Sequence, residues 1–246
     1  MDRDRIDQLK GHILKYQAHC DRWLSRLCDP AGKNVLVVGS GWGTEVLWAL
    51  RHGASKVTGV DPADRSSEPL AEVINETFQE YSKLDWEIKK TTTLELKSED
   101  RFDLIVSNNV FEHIDGLKVT FRSLRPLLSS PKGRIAIFTD PLFYSSNGSH
   151  LPVKEWQHLY DCETRLAESV PAWKWREYMF MLNRMTITDF LQAARESEII
   201  LLDLFIIKDR NLDRINEYLP RIRHRSFPLD LALEGIGVLM CFPENV

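Results

Sequence analysis

The sequence predicts an α/β fold: a parallel sheet with helices on both faces. Three observations predict it. Short apolar runs alternate with helical patterns between residues 34 and 140. Each connection is long enough to cross over a sheet and return. A glycine-rich turn, in "VLVVGSGWGTEVLWAL" (Val35 to Leu50), joins the first apolar run to the first helical one that follows it.

Taken in order, Ile6, Leu9, Ile13, Tyr16, Cys20, Leu24 and Leu27 recur at steps of three and four, which predicts one amphipathic helix that "DPAGK" (Asp29 to Lys33) terminates. Five strands are expected at Asn34 to Gly39, Ser55 to Asp61, Asp85 to Lys90, Phe102 to Asn109 and Gly133 to Asp140. Helical spacing fills Thr44 to His52, Glu68 to Lys83 and Leu117 to Ser129 between them. Residues 141–184 break the rhythm and hold eight of the 24 aromatics, so they read as an insertion over the sheet. Thr186 and Asp189 have the spacing of a helix N-terminus. Two last strands are expected at Ile199 to Lys208 and Gly235 to Phe242, separated by a polar helical stretch that Pro220 breaks. The chain thus reads as one domain over 1–246: an N-terminal helix (1–30), a ligand-binding core (33–140), a lid (141–184) and a C-terminal helix and strand hairpin (185–246).

Composition sets the function class. A 246-residue chain, 43 % hydrophobic and 28 % charged, suits one soluble globular domain. With 32 basic against 36 acidic residues the net charge is −4, which argues against nucleic acid as a partner. Cys20, Cys28, Cys162 and Cys241 form no C-x-x-C pair and read as reduced thiols rather than disulfides or a zinc site. The longest apolar run, Ile199 to Ile207, is broken by Asp203 and too short to span a bilayer, so no membrane contact and a cytoplasmic location are expected.

Gly39, Gly41 and Gly43 fall where a parallel strand hands over to a helix, the crevice in which such sheets bind ligands. Glycines there allow a tight turn and close backbone approach, and the helix start offers N–H donors to a carboxylate or phosphate. Asp61 ends the next strand and has the chemistry to take both hydroxyls of a ribose. The structural alternative is a plain tight turn, with Asp61 and Pro62 opening a loop. A dinucleotide fingerprint would carry a third glycine three residues after Gly41; Thr44 stands there instead, which disfavours a nicotinamide-dependent oxidoreductase.

In this order "VLVVGSGWG", "VTGVDP", "FDLIVSNNVFEHI" and "GRIAIFTDP" resemble the motifs of the class I S-adenosylmethionine-dependent methyltransferases, over roughly Lys33 to Asp140. The resemblance implies a Rossmann-like, seven-stranded, mostly parallel sheet and S-adenosylmethionine as cofactor. It places Gly39, Ser40, Gly41, Trp42 and Gly43 against the methionine portion, Asp61 with Pro62 at the ribose, and Asn108 at the sulfonium end. Many relatives hold the adenine with an Asp after the third strand; here "TTTLEL" stands there, which leaves Thr93 and Leu94 for the ring. Glu112 and His113 match a pair that relatives often carry at the pocket floor. "FYSSNGSHLPVKEWQHLY" and "LNRMTITDF" are similar to segments of bacterial small-molecule methyltransferases, which points to a small-molecule acceptor under the lid, methylated on oxygen or nitrogen.

Within the lid, His150 and His158 are the candidate catalytic bases, because imidazole titrates near neutrality. The bland alternative is a surface or capping role. Asp161, Cys162 and Glu163 lie nearby, but no metal-ligand spacing is present, so no metal is expected. Arg221, Arg223, His224 and Arg225 would clamp an anion or form a solvated helix end. The N-terminal stripe is expected to enclose the cofactor mouth, or else to form a subunit interface in a homodimer. A catalytically silent nucleoside-binding subunit is the rival from outside the enzymes.

Overall fold

A computed structural model describes residues 2–97, 99–129, 132–222 and 228–245. Its seven strands are β1 (Asn34–Val38), β2 (Lys56–Asp61), β3 (Asp85–Lys90), β4 (Leu104–Asn108), β5 (Arg134–Thr139), β6 (Ile200–Lys208) and β7 (Leu233–Cys241). They form one sheet in the order β3-β2-β1-β4-β5-β7-β6. Strands β1 to β5 pair in parallel, while β7 runs antiparallel to both β5 and β6.

The central strands are buried on both faces, and their side chains alternate between two cores. Leu36, Val38, Ile105, Ile135 and Ile137 join one cluster, and Val35, Val37, Leu104, Val106 and Phe138 join the other. Over the second face lie α1 (Arg3–Lys15), α2 (Gln17–Leu27), α3 (Thr44–Arg51) and α4 (Glu68–Thr77). The first is covered by α5 (Leu117–Leu124) and, further along the chain, by the helix Ile187–Glu196, whose Thr186 and Asp189 close a reciprocal capping box. Strand β6 is an edge, with Leu201, Leu202, Leu204 and Ile206 exposed.

Three expectations are corrected. The N-terminal helix is two helices, with the break at Tyr16; Tyr16 is exposed and Gln17 takes its place in the buried stripe. Gln17 is held there by Nε2 donating to the Thr44 carbonyl at 2.9 Å and by Arg51 donating to its Oε1 at 3.0 Å. Helix α4 stops at Thr77, since Phe78 leaves helical geometry at φ −134° and ψ 50°, and a 3₁₀ turn (Gln79–Tyr81) follows. Helix α5 stops at Leu124 because Pro126 cannot continue it.

The 141–184 segment, read from sequence as aperiodic, contains α6 (Gln157–Tyr160), α7 (Glu163–Ser169) and α8 (Ala172–Phe180). Phe143, Trp156, Leu159, Tyr160, Leu166 and Tyr178 are buried there, and all but Leu166 join a third cluster with Tyr218 and Leu231. Much of its aromatic content is therefore its own core, while Trp173 and Phe180 face solvent. Among the described residues no helix is long and apolar enough to cross a membrane.

Candidate active site

The chain must turn from β1 into α3 between Gly39 and Gly43, and two positions there tolerate only glycine. Gly39 has φ +73°, and a Cβ on it would stand 2.4 Å from Val110; Gly43 has φ +94°, and a Cβ would stand 2.5 Å from Leu70. The turn is tied to the end of β2, where the Val60 carbonyl accepts from the Gly39 and Ser40 N–H groups at 2.8 and 3.0 Å. Asp61 fixes the far side of the crevice: its Oδ2 accepts the Gly41 N–H at 3.0 Å and its Oδ1 the Ala63 N–H at 2.8 Å. Each oxygen keeps a lone pair for a hydroxyl donor. Arg65 lies over the half-buried Trp42, 5.0 Å from its ring, and Pro62 is exposed at the loop start. Ser40 is buried, and its Oγ has no hydrogen-bond partner.

The end of β4 completes this crevice. Asn108, 9 % exposed, donates through Nδ2 to Glu45 Oε1 at 2.8 Å, while its Oδ1 completes no hydrogen bond. Glu45 lies in the first turn of α3, and burial pushes its carboxyl up to about 7 against the hydrogen bond from Asn108. Cys20 of α2 contacts the same Oε1 at 3.9 Å; burial raises the thiol far above its ordinary range and keeps it protonated. In the loop after β3, Thr93 is buried and its hydroxyl is engaged with Ser123 Oγ at 2.7 Å, whereas Leu94 is 60 % exposed. Glu95 pins the loop by accepting from the Thr91 hydroxyl and the Thr92 N–H.

Above the ends of β4 and β5 the two histidines named from sequence part ways. His158 is buried, and its Nε2–H donates to the Phe143 carbonyl at 2.7 Å. That bond fixes the ring with its proton on Nε2, so base chemistry at His158 would fall to Nδ1. His150, by contrast, meets His113 edge-on with ring centroids 5.4 Å apart. Its Nδ1 faces Glu177 Oε1 at 3.7 Å and its Nε2 is buried without a hydrogen bond. Burial, then the neighbouring His113, lowers the His150 pKa and keeps the ring neutral near pH 7. His113 Nδ1 is 2.8 Å from the Met181 carbonyl, an acceptor only, so that nitrogen carries the proton.

Glu112 lies beneath this pair in the 3₁₀ turn Phe111–His113. Its Oε2 accepts from Thr139 at 2.5 Å, its Oε1 makes no hydrogen bond but lies 3.8 Å from His113 Nε2, and burial raises its pKa. Asp140, at the end of β5, is pushed up to about 7 by burial and then by the charge of Glu234.

Of the remaining sequence candidates, Arg221 stacks over Tyr160 at 4.1 Å, and Arg223, His224 and Arg225 lie outside the described residues. Among the described residues no group of three or more His, Cys, Asp or Glu is placed to hold a metal ion. Glu45, His19 and Glu177 went unnoticed in sequence. A signal existed for the first: Glu45 is the one acid in a helix otherwise apolar from Val46 to Leu50.

A methyltransferase-domain family matches residues 12–197, most of the chain. The chain belongs to that family. It is a class I S-adenosylmethionine-dependent methyltransferase. Solved structures share the fold at low identity. An S-adenosylmethionine-dependent methyltransferase from Mesorhizobium loti is 19 % identical, with a TM-score of 0.54, covering 88 % of this chain and 94 % of that one. The geranyl diphosphate C-methyltransferase of Streptomyces coelicolor is 12 % identical, with a TM-score of 0.58 and coverages of 94 % and 82 %. A mycolic acid cyclopropane synthase is also 12 % identical, with a TM-score of 0.61 and coverages of 91 % and 82 %. No curated protein matches the sequence. The methyltransferase's crevice offers its donor a turn that admits close approach, a fixed carboxylate at Asp61, and buried polar atoms without hydrogen bonds at Ser40 and Asn108.

Proposed function

We propose that this methyltransferase methylates a hydroxyl oxygen of a small molecule held beneath residues 141–184, with His150 as the general base. One observation carries the reading: a neutral imidazole whose Nε2 is buried and unpaired above the ends of β4 and β5. When bound, the donor supplies an electrophilic methyl on a sulfonium. The chain's residues do the rest. Asp61 and the glycine turn hold the donor's nucleoside and amino-acid ends, and the aromatic segment excludes water and aligns the acceptor for in-line attack. As the oxygen attacks, its proton passes to His150 Nε2. Glu177, facing Nδ1, holds the ring in the competent tautomer and stabilises the imidazolium that forms.

Untargeted labelling of a small-molecule extract with an isotopic methyl donor would identify the acceptor. With it, His150→Ala should lower kcat at least about a hundredfold at neutral pH while donor affinity stays within about twofold. Because burial depresses the His150 pKa, the acid limb of the wild-type kcat profile should lie below pH 6.5, the ordinary imidazole value. Retained turnover in His150→Ala would remove it as the base. An amine acceptor is the second reading, and Glu112 Oε1, which makes no hydrogen bond and has only His113 beside it, favours it as a partner for an ammonium group. A label found on nitrogen, together with an active His150→Ala, would decide for that reading.

A further inference from the structure

The polar cluster at the junction of α2, α3 and β4 has no part in the chemistry above, yet it is costly to bury. Glu45 and Asn108 are each more than nine-tenths buried, and among the described residues no cationic side chain is bonded to the Glu45 carboxylate. Its partners are the Asn108 amide and the Cys20 thiol, both neutral. An anion buried with neutral partners alone is unfavourable unless something else draws on its charge.

The direction of the Asn108 amide follows from that carboxylate. An ionised carboxylate only accepts, so it takes Nδ2 and forces Oδ1 to the opposite side. Oδ1 is then a buried acceptor without a well-formed hydrogen bond: His19 of α2 lies close enough to interact with it, yet neither Oδ1 nor the His19 Nε2 completes one. Burial lowers the His19 pKa, so this ring brings no positive charge of its own. The Oδ1 acceptor lies one element from the glycine turn, where the amino-acid end of the donor belongs. That end carries an ammonium group with three N–H donors.

We propose that Glu45 is a positioning residue for donor binding: it orients the Asn108 amide so that Oδ1 accepts from the donor's ammonium group, and its carboxylate lies behind that contact as the countercharge. Cys20 ties α2 to the same oxygen, so the N-terminal helices report on the donor's amino-acid end rather than on its nucleoside. This rests on the placement of that end over the glycine turn.

The test compares two ligands that share a nucleoside. S-adenosylhomocysteine carries the amino-acid end; 5′-methylthioadenosine lacks it. Calorimetry on the full chain should show Glu45→Met weakening S-adenosylhomocysteine binding by at least about tenfold, with 5′-methylthioadenosine affinity within about twofold of wild type. Glu45→Gln, which keeps an acceptor for Asn108 but loses the charge, should fall between wild type and Glu45→Met for the first ligand and leave the second unchanged. If Glu45→Met fails to fold, Glu45→Gln decides alone, by the same selective loss of several-fold. Equal weakening of both ligands, or no weakening of either, would overturn the proposal. Failure of the wild type to bind either ligand would instead overturn the donor placement on which it rests.

Discussion

At the scale of single residues, the donor crevice is built by few atoms, and Asp61 shows how much each one does. Its two oxygens hold the Gly41 and Ala63 N–H groups, so the carboxylate shapes the glycine turn before any ligand arrives. Asp61→Ala should remove both those bonds and the charged acceptors for a ribose. The expected loss is about 1.5 to 3 kcal/mol, roughly 10- to 150-fold in affinity for S-adenosylmethionine, since hydrogen bonds to charged groups are the strong ones. Because the nucleoside is common to both ligands, S-adenosylhomocysteine and 5′-methylthioadenosine should weaken together, unlike the selective loss expected at Glu45. Unchanged affinity by calorimetry would show that Asp61 is a turn-forming residue only. The two histidines of the aromatic segment teach the same lesson in reverse. Nothing in the sequence separates His150 from His158; what separates them is which nitrogen is left for a proton, since the Phe143 carbonyl holds the His158 proton on Nε2, whereas His150 Nε2 makes no hydrogen bond and its Nδ1 faces Glu177.

Among the elements, α1 and α2 are bound to the core by different means. Helix α1 docks on α4 through Ile6, Leu9 and Ile13 and through Arg3 and Lys10, which pair with Glu72 and Glu76. Helix α2 sends Cys20, Leu24 and Leu27 into the core cluster shared with β1 and β4, and it carries His19 and Cys20 to the Asn108 site. Deleting residues 1–28 would expose the buried face of α3 and remove those polar contacts. The truncated chain should aggregate in size-exclusion chromatography or lose S-adenosylhomocysteine affinity. A monodisperse, fully active truncation would show the two helices to be dispensable. The strands of the core were legible because buried parallel strands are short apolar runs with turn residues at their ends, and Asp61 was legible because it ends one of them. The break at Tyr16 was not, since a stripe at steps of three and four is the same for one helix or two. The helices of 141–184 were hidden because their aromatics pack inward from several directions, leaving no periodic face. For Thr93 the sequence could not show that its hydroxyl bonds Ser123, thirty residues away.

For the whole molecule, the buried acids link folding to pH in a direction opposite to most surface carboxylates. Glu45 has its folded pKa raised from 4.5 to about 7, so its contribution is most favourable below 4.5 and is lost as pH rises through 7. At about 1.4 kcal/mol per pH unit, the cost of holding it ionised at pH 8 is on the order of 3 kcal/mol. Asp140, also pushed up to about 7, acts with the same sign. His12, His19 and His150 have lowered values, so their contribution is full above 6.5 and is lost as pH falls below it. Glu45→Gln removes the first cost and leaves the others. Its Tm should therefore be close to that of wild type at pH 5 and exceed it by several degrees at pH 8, measured without ligand. A Tm difference that stays constant between those pH values would show that ionising Glu45 costs the fold nothing. The same substitution should weaken S-adenosylhomocysteine binding, so the free protein gains stability while the complex loses it. With saturating S-adenosylhomocysteine the Tm advantage of Glu45→Gln should shrink or reverse, because the ammonium of the ligand supplies the countercharge for which the wild-type carboxylate is kept.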